Sequence, residues 1–180
     1  MKKFEEKTIA TEKIFNGKVI KLQVDSVTLP DGNTSKRELI KHPGAVAIIA
    51  LTDENNIVFV EQYRKALEKS ILEIPAGKLE EGEAPEVTAK RELEEETGYT
   101  TEHMEMVTSF YTSPGFADEL VYVYFTDQLQ RLDDAVAGDE DEFVEVYELP
   151  LEEAERLMAE QRIHDAKTAY ALLYLKNRRV

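Results

Sequence analysis

Three glutamates, Glu92, Glu95 and Glu96, crowd into the segment APEVTAKRELEEETG, residues 84–98. Pro85 in a first turn and Gly98 just past an end mark this segment as a helix. At about 100° per residue, Glu92 and Glu96 fall beside the short apolar stripe of Ala89 and Leu93, while Arg91 and Glu94 fall opposite it. Acids that serve only solvation belong on the side away from the stripe. Like charges at i, i+4 also repel, by about a few tenths of a kcal/mol. Oxygen ligands at this density near a partly buried surface suit a hard cation, Mg²⁺ or Mn²⁺. Spacing alone leaves a second reading open, an ordinary charged helix.

The surrounding residues extend the pattern. Gly77 is followed by five residues and Glu83, then by seven residues and Arg91-Glu92-Leu93, Glu95-Glu96, Gly98 and Tyr99. This resembles the Nudix box, G-x5-E-x7-R-E-U-x-E-E-x-G-U, where U is a bulky apolar residue. All of its fixed positions are filled; Tyr99 departs mildly, since an aliphatic residue is usual there. The resemblance implies a pyrophosphohydrolase on a Nudix-type α/β/α sandwich with a mixed sheet. It implies metal ligation by Glu92, Glu95, Glu96 and the backbone carbonyl of Ala76, and a scaffold role for Glu83 and Arg91. In that role the two pair in a salt bridge that holds loop and helix together.

Outside the box, Pro114 of the run Ser113-Pro114-Gly115 lies sixteen residues past Gly98, and Glu61-Gln62-Tyr63-Arg64 precedes Glu73-Ile74-Pro75-Ala76-Gly77. Both are similar to the ADP-ribose pyrophosphatase branch of the Nudix proteins, although Pro-Gly is common in any turn. The branch implies Mg²⁺-dependent cleavage of ADP-ribose to AMP and ribose 5-phosphate. It also implies a homodimer with shared active sites, in which the N-terminal unit crosses to the other subunit. Arg64 is a candidate for gripping phosphate, because arginine does so bidentately. Arg37 and Glu38 align with positions at the adenine end, and Pro114 and Gly115 with the substrate loop. A pair of solvent-facing strand charges would explain Arg37 and Glu38 as well. By the same analogy, in the acidic run Gly138-Asp139-Glu140-Asp141-Glu142, Glu140 is the general base and Glu142 reaches a metal; the two could exchange roles. Competing functions are hydrolysis of another nucleoside diphosphate sugar or dinucleotide, and a nucleotide sensor without turnover. Lost box carboxylates would signal a sensor, and none is lost.

These residues need elements to hold them. Residues 18–29 alternate in period two, Asp31-Gly32-Asn33 reads as a hairpin turn, and Arg37 to Lys41 as the return strand. Residues 1–42 therefore form a small antiparallel unit, too small to bury much by itself, and residues 43–180 the hydrolase domain. Strands are expected over AVAIIAL (45–51), IVFVEQYR (57–64), 71–75, 104–111, 120–126 and 143–149, with a polar loop over 77–82. Two further helical patterns span 151–160 and 165–177. Strands mixed with few helices fit a layered α/β domain.

The 180 residues carry 37 acids against 22 bases, a formal charge of −15, and no cysteine. Such a chain repels a nucleic-acid backbone, and no nucleic-acid partner is expected. Disulfides and thiolate chemistry are excluded, which fits a reducing, cytoplasmic setting. No secretory h-region and no run of 18 apolar residues is visible, so no membrane association is expected.

Overall fold

A computed structural model describes residues 3–134, 138 and 143–178. Contacts divide the chain into two units, Met1–Gly44 with Phe110–Val121, and Ala45–Ser109 with Tyr122–Val180.

The first unit holds a three-stranded antiparallel sheet, β1 (Lys7–Asn16), β2 (Lys21–Thr28) and β3 (Thr34–Lys41), in that order. The β2–β3 hairpin turns through Gly32, whose φ of 88° is open to glycine at no steric cost. Asp31 accepts from the Asn33 backbone N–H at 3.0 Å, an Asx turn. The expected hairpin is thus present, but β1 lay outside the expected strands. All ten of its residues are exposed, so it has no buried face to stamp a period of two on its sequence. The unit has one buried carboxylate. Asp25 accepts from Thr8 at 3.2 Å, from Thr11 at 2.8 Å and from Gln23 at 2.9 Å. Three donors offset the loss of hydration.

The second unit is built on β4 (Ala45–Ala50), β5 (Ile57–Arg64), β6 (Lys69–Glu73), β7 (Ala76–Lys78), β8 (Tyr99–Thr100), most of β9 (Glu105–Tyr111) and of β10 (Leu120–Thr126), β11 (Gln130–Arg131) and β12 (Val144–Leu149). Its helices are α1 (Pro85–Thr97), α2 (Leu151–Ala159) and α3 (Ala166–Arg178). The sheets run β7-β4-β10-β9, β12-β5-β6 and β11-β8. The run AVAIIAL is buried almost throughout, as its unbroken apolarity requires. Val46, Ile48 and Ala50 of β4 pack with Ala89 and Leu93 of α1. On β10, Tyr124 joins that cluster, while the next residue, Phe125, meets Tyr174 of α3 at 5.9 Å. Successive strand residues point to opposite faces, so α1 and α3 cover opposite faces of the sheet. The α/β/α sandwich expected from the sequence is the fold observed.

The turn over 77–82 was expected to be all loop. Instead Ala76–Lys78 forms β7, with Ala47 opposite Ala76 and Val46 opposite Gly77. That pairing moors the start of the box to the central strand. Among the described residues no helix is long and apolar enough to cross a membrane.

Candidate active site

Helix α1 begins at Pro85 and ends where Gly98 turns left-handed at φ 69°, its N–H reaching the Glu94 carbonyl at 3.0 Å. A Cβ is disfavoured in that conformation. Gly98→Ala should therefore cost about 1 kcal/mol, or roughly 2–4 °C in Tm for a chain of this size. A thermal melt checks it; an unchanged Tm would mean that the cap is unimportant.

Leu93 and Ala89 are fully buried, and Glu92 and Glu96 are drawn in beside them at 7% and 6% exposure. Both carboxylates converge on the turn that opens the box. Glu96 Oε2 accepts from the Ala76 N–H at 2.9 Å. Glu92 lies so close to Gly77 that a Cβ built there would stand 1.8 Å from its carboxyl carbon. Glycine at 77 is thus needed for room, because only a residue without a side chain lets the Glu92 carboxylate rest against the backbone.

Arg91 gathers the remaining acids. Its guanidinium contacts Glu95 at 2.7 Å, Glu92 at 3.0 Å and Glu83 at 3.4 Å. Thr88, not anticipated as part of the site, donates to Glu83 Oε2 at the shorter distance of 2.7 Å. The Thr88 hydrogen bond, ahead of the Arg91 contact, holds the Glu83 carboxyl below the usual carboxylate range. Burial disfavours the Arg91 charge, but Glu83, Glu92 and Glu95 outweigh it and push its pKa up.

The donor set suits a hard divalent cation. It offers carboxylates and a backbone carbonyl, two of the carboxylates meet at the 76–77 turn, and glycine there leaves space. Among the described residues no three acidic or histidine side chains form a ready-made metal cage. Glu95 is held by Arg91 at 2.7 Å.

Arg64 is paired within the protein through two of its nitrogens. It forms a bidentate pair with Glu73, Nε to Oε1 at 2.6 Å and Nη2 to Oε2 at 2.8 Å. Lys167 of α3 also reaches Glu73 Oε2. Burial raises the Glu73 pKa, but the Arg64 hydrogen bond and the charges of Lys167 and Arg64 outweigh it and leave it lowered. Stability from this carboxylate is therefore complete at neutral pH and lost as pH falls through the depressed value. Tm should drop below about pH 4, and less steeply in Glu73→Gln, which at neutral pH should be less stable by up to about 3 kcal/mol. Parallel acid limbs for the two proteins would contradict this.

In the first unit, Arg37 clamps Glu6 at 2.6 Å and 2.8 Å, and that hydrogen bonding raises its pKa. Glu38 is exposed beside it on β3. Pro114 and Gly115 head a tight turn in which Phe116 and Ala117 donate to the Ser113 carbonyl at 3.1 and 2.9 Å. Asp118 ties that turn to β3 through Lys41 at 2.8 Å and the His42 N–H at 2.9 Å.

Glu140 and Glu142 lie outside the described residues. Gly138, at the head of their run, is described, and a Cβ there would stand 3.8 Å from the Glu95 carbonyl. The box end is bound to residues on both sides of the run. Leu132 donates to the Gly98 carbonyl at 2.9 Å, and the Tyr99 hydroxyl to Glu148 of β12 at 2.6 Å. The one departure from the box pattern thus supplies a polar link that an aliphatic residue lacks.

A buried acid pair on a helix, set against a glycine turn paired to a central strand, points to a class as well as a site. Residues 41–172 match the family model for the NUDIX domain, and the chain belongs to the Nudix family of pyrophosphohydrolases. These enzymes depend on divalent metal. Within the family its kinship lies with the ADP-ribose pyrophosphatase branch, as expected. It is 60% identical over 176 residues to the ADP-ribose pyrophosphatase of Bacillus subtilis, covering 98% of this chain and 95% of that one. It is 63% identical over 175 residues to the methanol dehydrogenase activator of Bacillus methanolicus, covering 97% and 95%. A solved structure, an ADP compounds hydrolase, superposes with a TM-score of 0.83 over 97% of this chain and 96% of that one. At 18% identity that likeness speaks for the fold.

Proposed function

We propose that this chain hydrolyses the pyrophosphate of ADP-ribose, giving AMP and ribose 5-phosphate, with Mg²⁺ as its metal and Mn²⁺ as a substitute. The observation that carries the reading is the meeting of Glu92 and Glu96 at the Ala76–Gly77 turn. The 60% identity to an ADP-ribose pyrophosphatase supports the substrate.

Mg²⁺ would be held by Glu92, Glu95, Glu96, the Ala76 carbonyl and Glu142, where it supplies positive charge against the pyrophosphate oxygens and lowers the pKa of bound water. Glu140 accepts a proton from the attacking water. A new P–O bond forms as the bridging P–O bond breaks, and the leaving phosphate carries the electron pair away. Glu96 keeps the turn in place through Ala76, and Arg91 restrains Glu95 and Glu92. Arg64 offers charge to a phosphate while its Nε and Nη2 stay on Glu73. Arg37, Glu38, Pro114 and Gly115 serve recognition of the nucleoside end.

Initial rates with ADP-ribose, GDP-mannose, NADH and diadenosine phosphates, each with Mg²⁺ and with Mn²⁺, test the substrate. ADP-ribose should lead in kcat/KM; equal rates on all would return the assignment to nucleoside diphosphate compounds at large.

A cytoplasmic homodimer belongs to the same proposal, with residues 1–42 packed on the second copy. Exposed Phe4, Ile9, Ile14, Phe15 and Val19 support that packing, because a unit this small needs an apolar surface elsewhere to cover it. Light scattering that returns the mass of one chain would refute it.

The 63% identity to a methanol dehydrogenase activator favours a second role, raising the activity of a dehydrogenase. Methanol dehydrogenase assayed with wild type and with Glu96→Gln tests it. Stimulation by wild type alone would tie that role to hydrolysis.

A further inference from the structure

We propose that the last helix, α3, positions the metal-binding turn: Asp165, Lys167 and Thr168 act through Glu73 and Ile74 on the carbonyl of Ala76. This rests on the reading of Ala76, Glu92 and Glu96 as the metal site.

The segment 73–77 is short, and the groups that fix it come from several elements. The Ile74 N–H donates to Thr168 Oγ1 at 3.0 Å, and both residues are fully buried. Pro75 has no N–H, and its carbonyl accepts from the Ile48 N–H of β4 at 2.8 Å. The Ala76 N–H goes to Glu96 of α1. Three elements therefore grip three consecutive residues, and α3 holds the upstream end. Its second hold is ionic. Glu73 carries Arg64 on both oxygens and Lys167 on one of them.

Asp165 arranges the two α3 groups for this task. It stands just before the helix and accepts from the Thr168 backbone N–H at 3.1 Å, in the manner of a helix cap. The same oxygen receives Lys167 Nζ at 2.9 Å. One carboxylate thus orients both the lysine that meets Glu73 and the threonine that meets Ile74. Ala76 follows Ile74 by two residues, and the segment between holds a proline of fixed φ. A displacement at Ile74 has little freedom in which to dissipate before it reaches the Ala76 carbonyl.

Purely structural anchors would lower Tm and leave metal affinity alone; positioning residues would move affinity in the folded protein. The test is Mn²⁺ binding to the full chain without substrate, read from the electron paramagnetic resonance of free Mn²⁺, for wild type, Thr168→Val, Thr168→Ser, Lys167→Met, Lys167→Arg and Glu96→Gln. Circular dichroism verifies that each is folded at the measuring temperature. Thr168→Val and Lys167→Met should weaken Mn²⁺ binding about tenfold, the scale for residues that orient ligands. Thr168→Ser and Lys167→Arg should restore it to within about twofold of wild type. If Thr168→Val fails to fold, the comparison of Lys167→Met with Lys167→Arg decides. Wild-type affinity in the two disruptive variants, with Glu96→Gln weakened, would overturn the role of α3 and leave the metal site standing. Wild-type affinity in Glu96→Gln would overturn the metal site itself.

Discussion

Glu96→Gln should fold as wild type does and lose about a thousandfold in metal-dependent kcat. The amide keeps the length of the side chain and an oxygen that accepts the Ala76 N–H, so the 2.9 Å contact that holds the turn survives. The negative charge does not. A metal at a reacting phosphate contributes several kcal/mol, and about 4 kcal/mol corresponds to roughly a thousandfold in rate. The loss should appear in kcat more than in KM, because binding the nucleoside end does not involve this carboxylate. Steady-state rates across a Mg²⁺ titration, beside thermal melts, measure both quantities. Turnover within tenfold of wild type at saturating Mg²⁺ would remove Glu96 from the ligand set.

Gly77→Ala should likewise cost activity far more than stability. The added methyl would stand 1.8 Å from the Glu92 carboxyl carbon and about as close to both oxygens, at 2.1 and 2.2 Å. The far end of a glutamate can swing aside, so the fold should give up only about 1 kcal/mol. Yet Glu92 cannot return to the turn while the methyl is there. A ligand held away from its place by an ångström or more costs at least about a hundredfold, and kcat should fall accordingly. If the variant keeps its rate, Glu92 does not work from the position seen here.

The box helix was legible because two punctuating residues, Pro85 and Gly98, bound a short run with a small apolar stripe. The wheel placed Glu92 and Glu96 beside Ala89 and Leu93, and all four are buried. Other features had no local signature. The strand β1 presents ten exposed residues, so nothing in its composition alternates. The short strands β7, β8 and β11 exist only through partners distant in sequence, such as Ala47 for Ala76 and Tyr99 for Arg131. Lys167 and Thr168 stand more than ninety residues from Glu73 and Ile74, and no spacing rule joins them. Thr88 was closer to reach, since it lies five residues past Glu83, but threonine in a helix reads as a weak former before it reads as a donor. The pairing of Arg64 with Glu73, nine residues away across the β5–β6 ladder, is one that a linear scan does not see.

Arg91, with Glu83, Glu92 and Glu95 all within reach of one guanidinium, has a bearing on how the protein is handled. The chain carries its own counter-ion for the acids of its box, one positive charge set among three negative ones, so part of their mutual repulsion is offset within the fold. Metal is then a reagent the folded molecule takes up, unlike the structural zinc whose removal unravels a small domain. Treatment with a chelator should silence the enzyme reversibly, with little change in Tm, and returning Mg²⁺ should revive it without refolding.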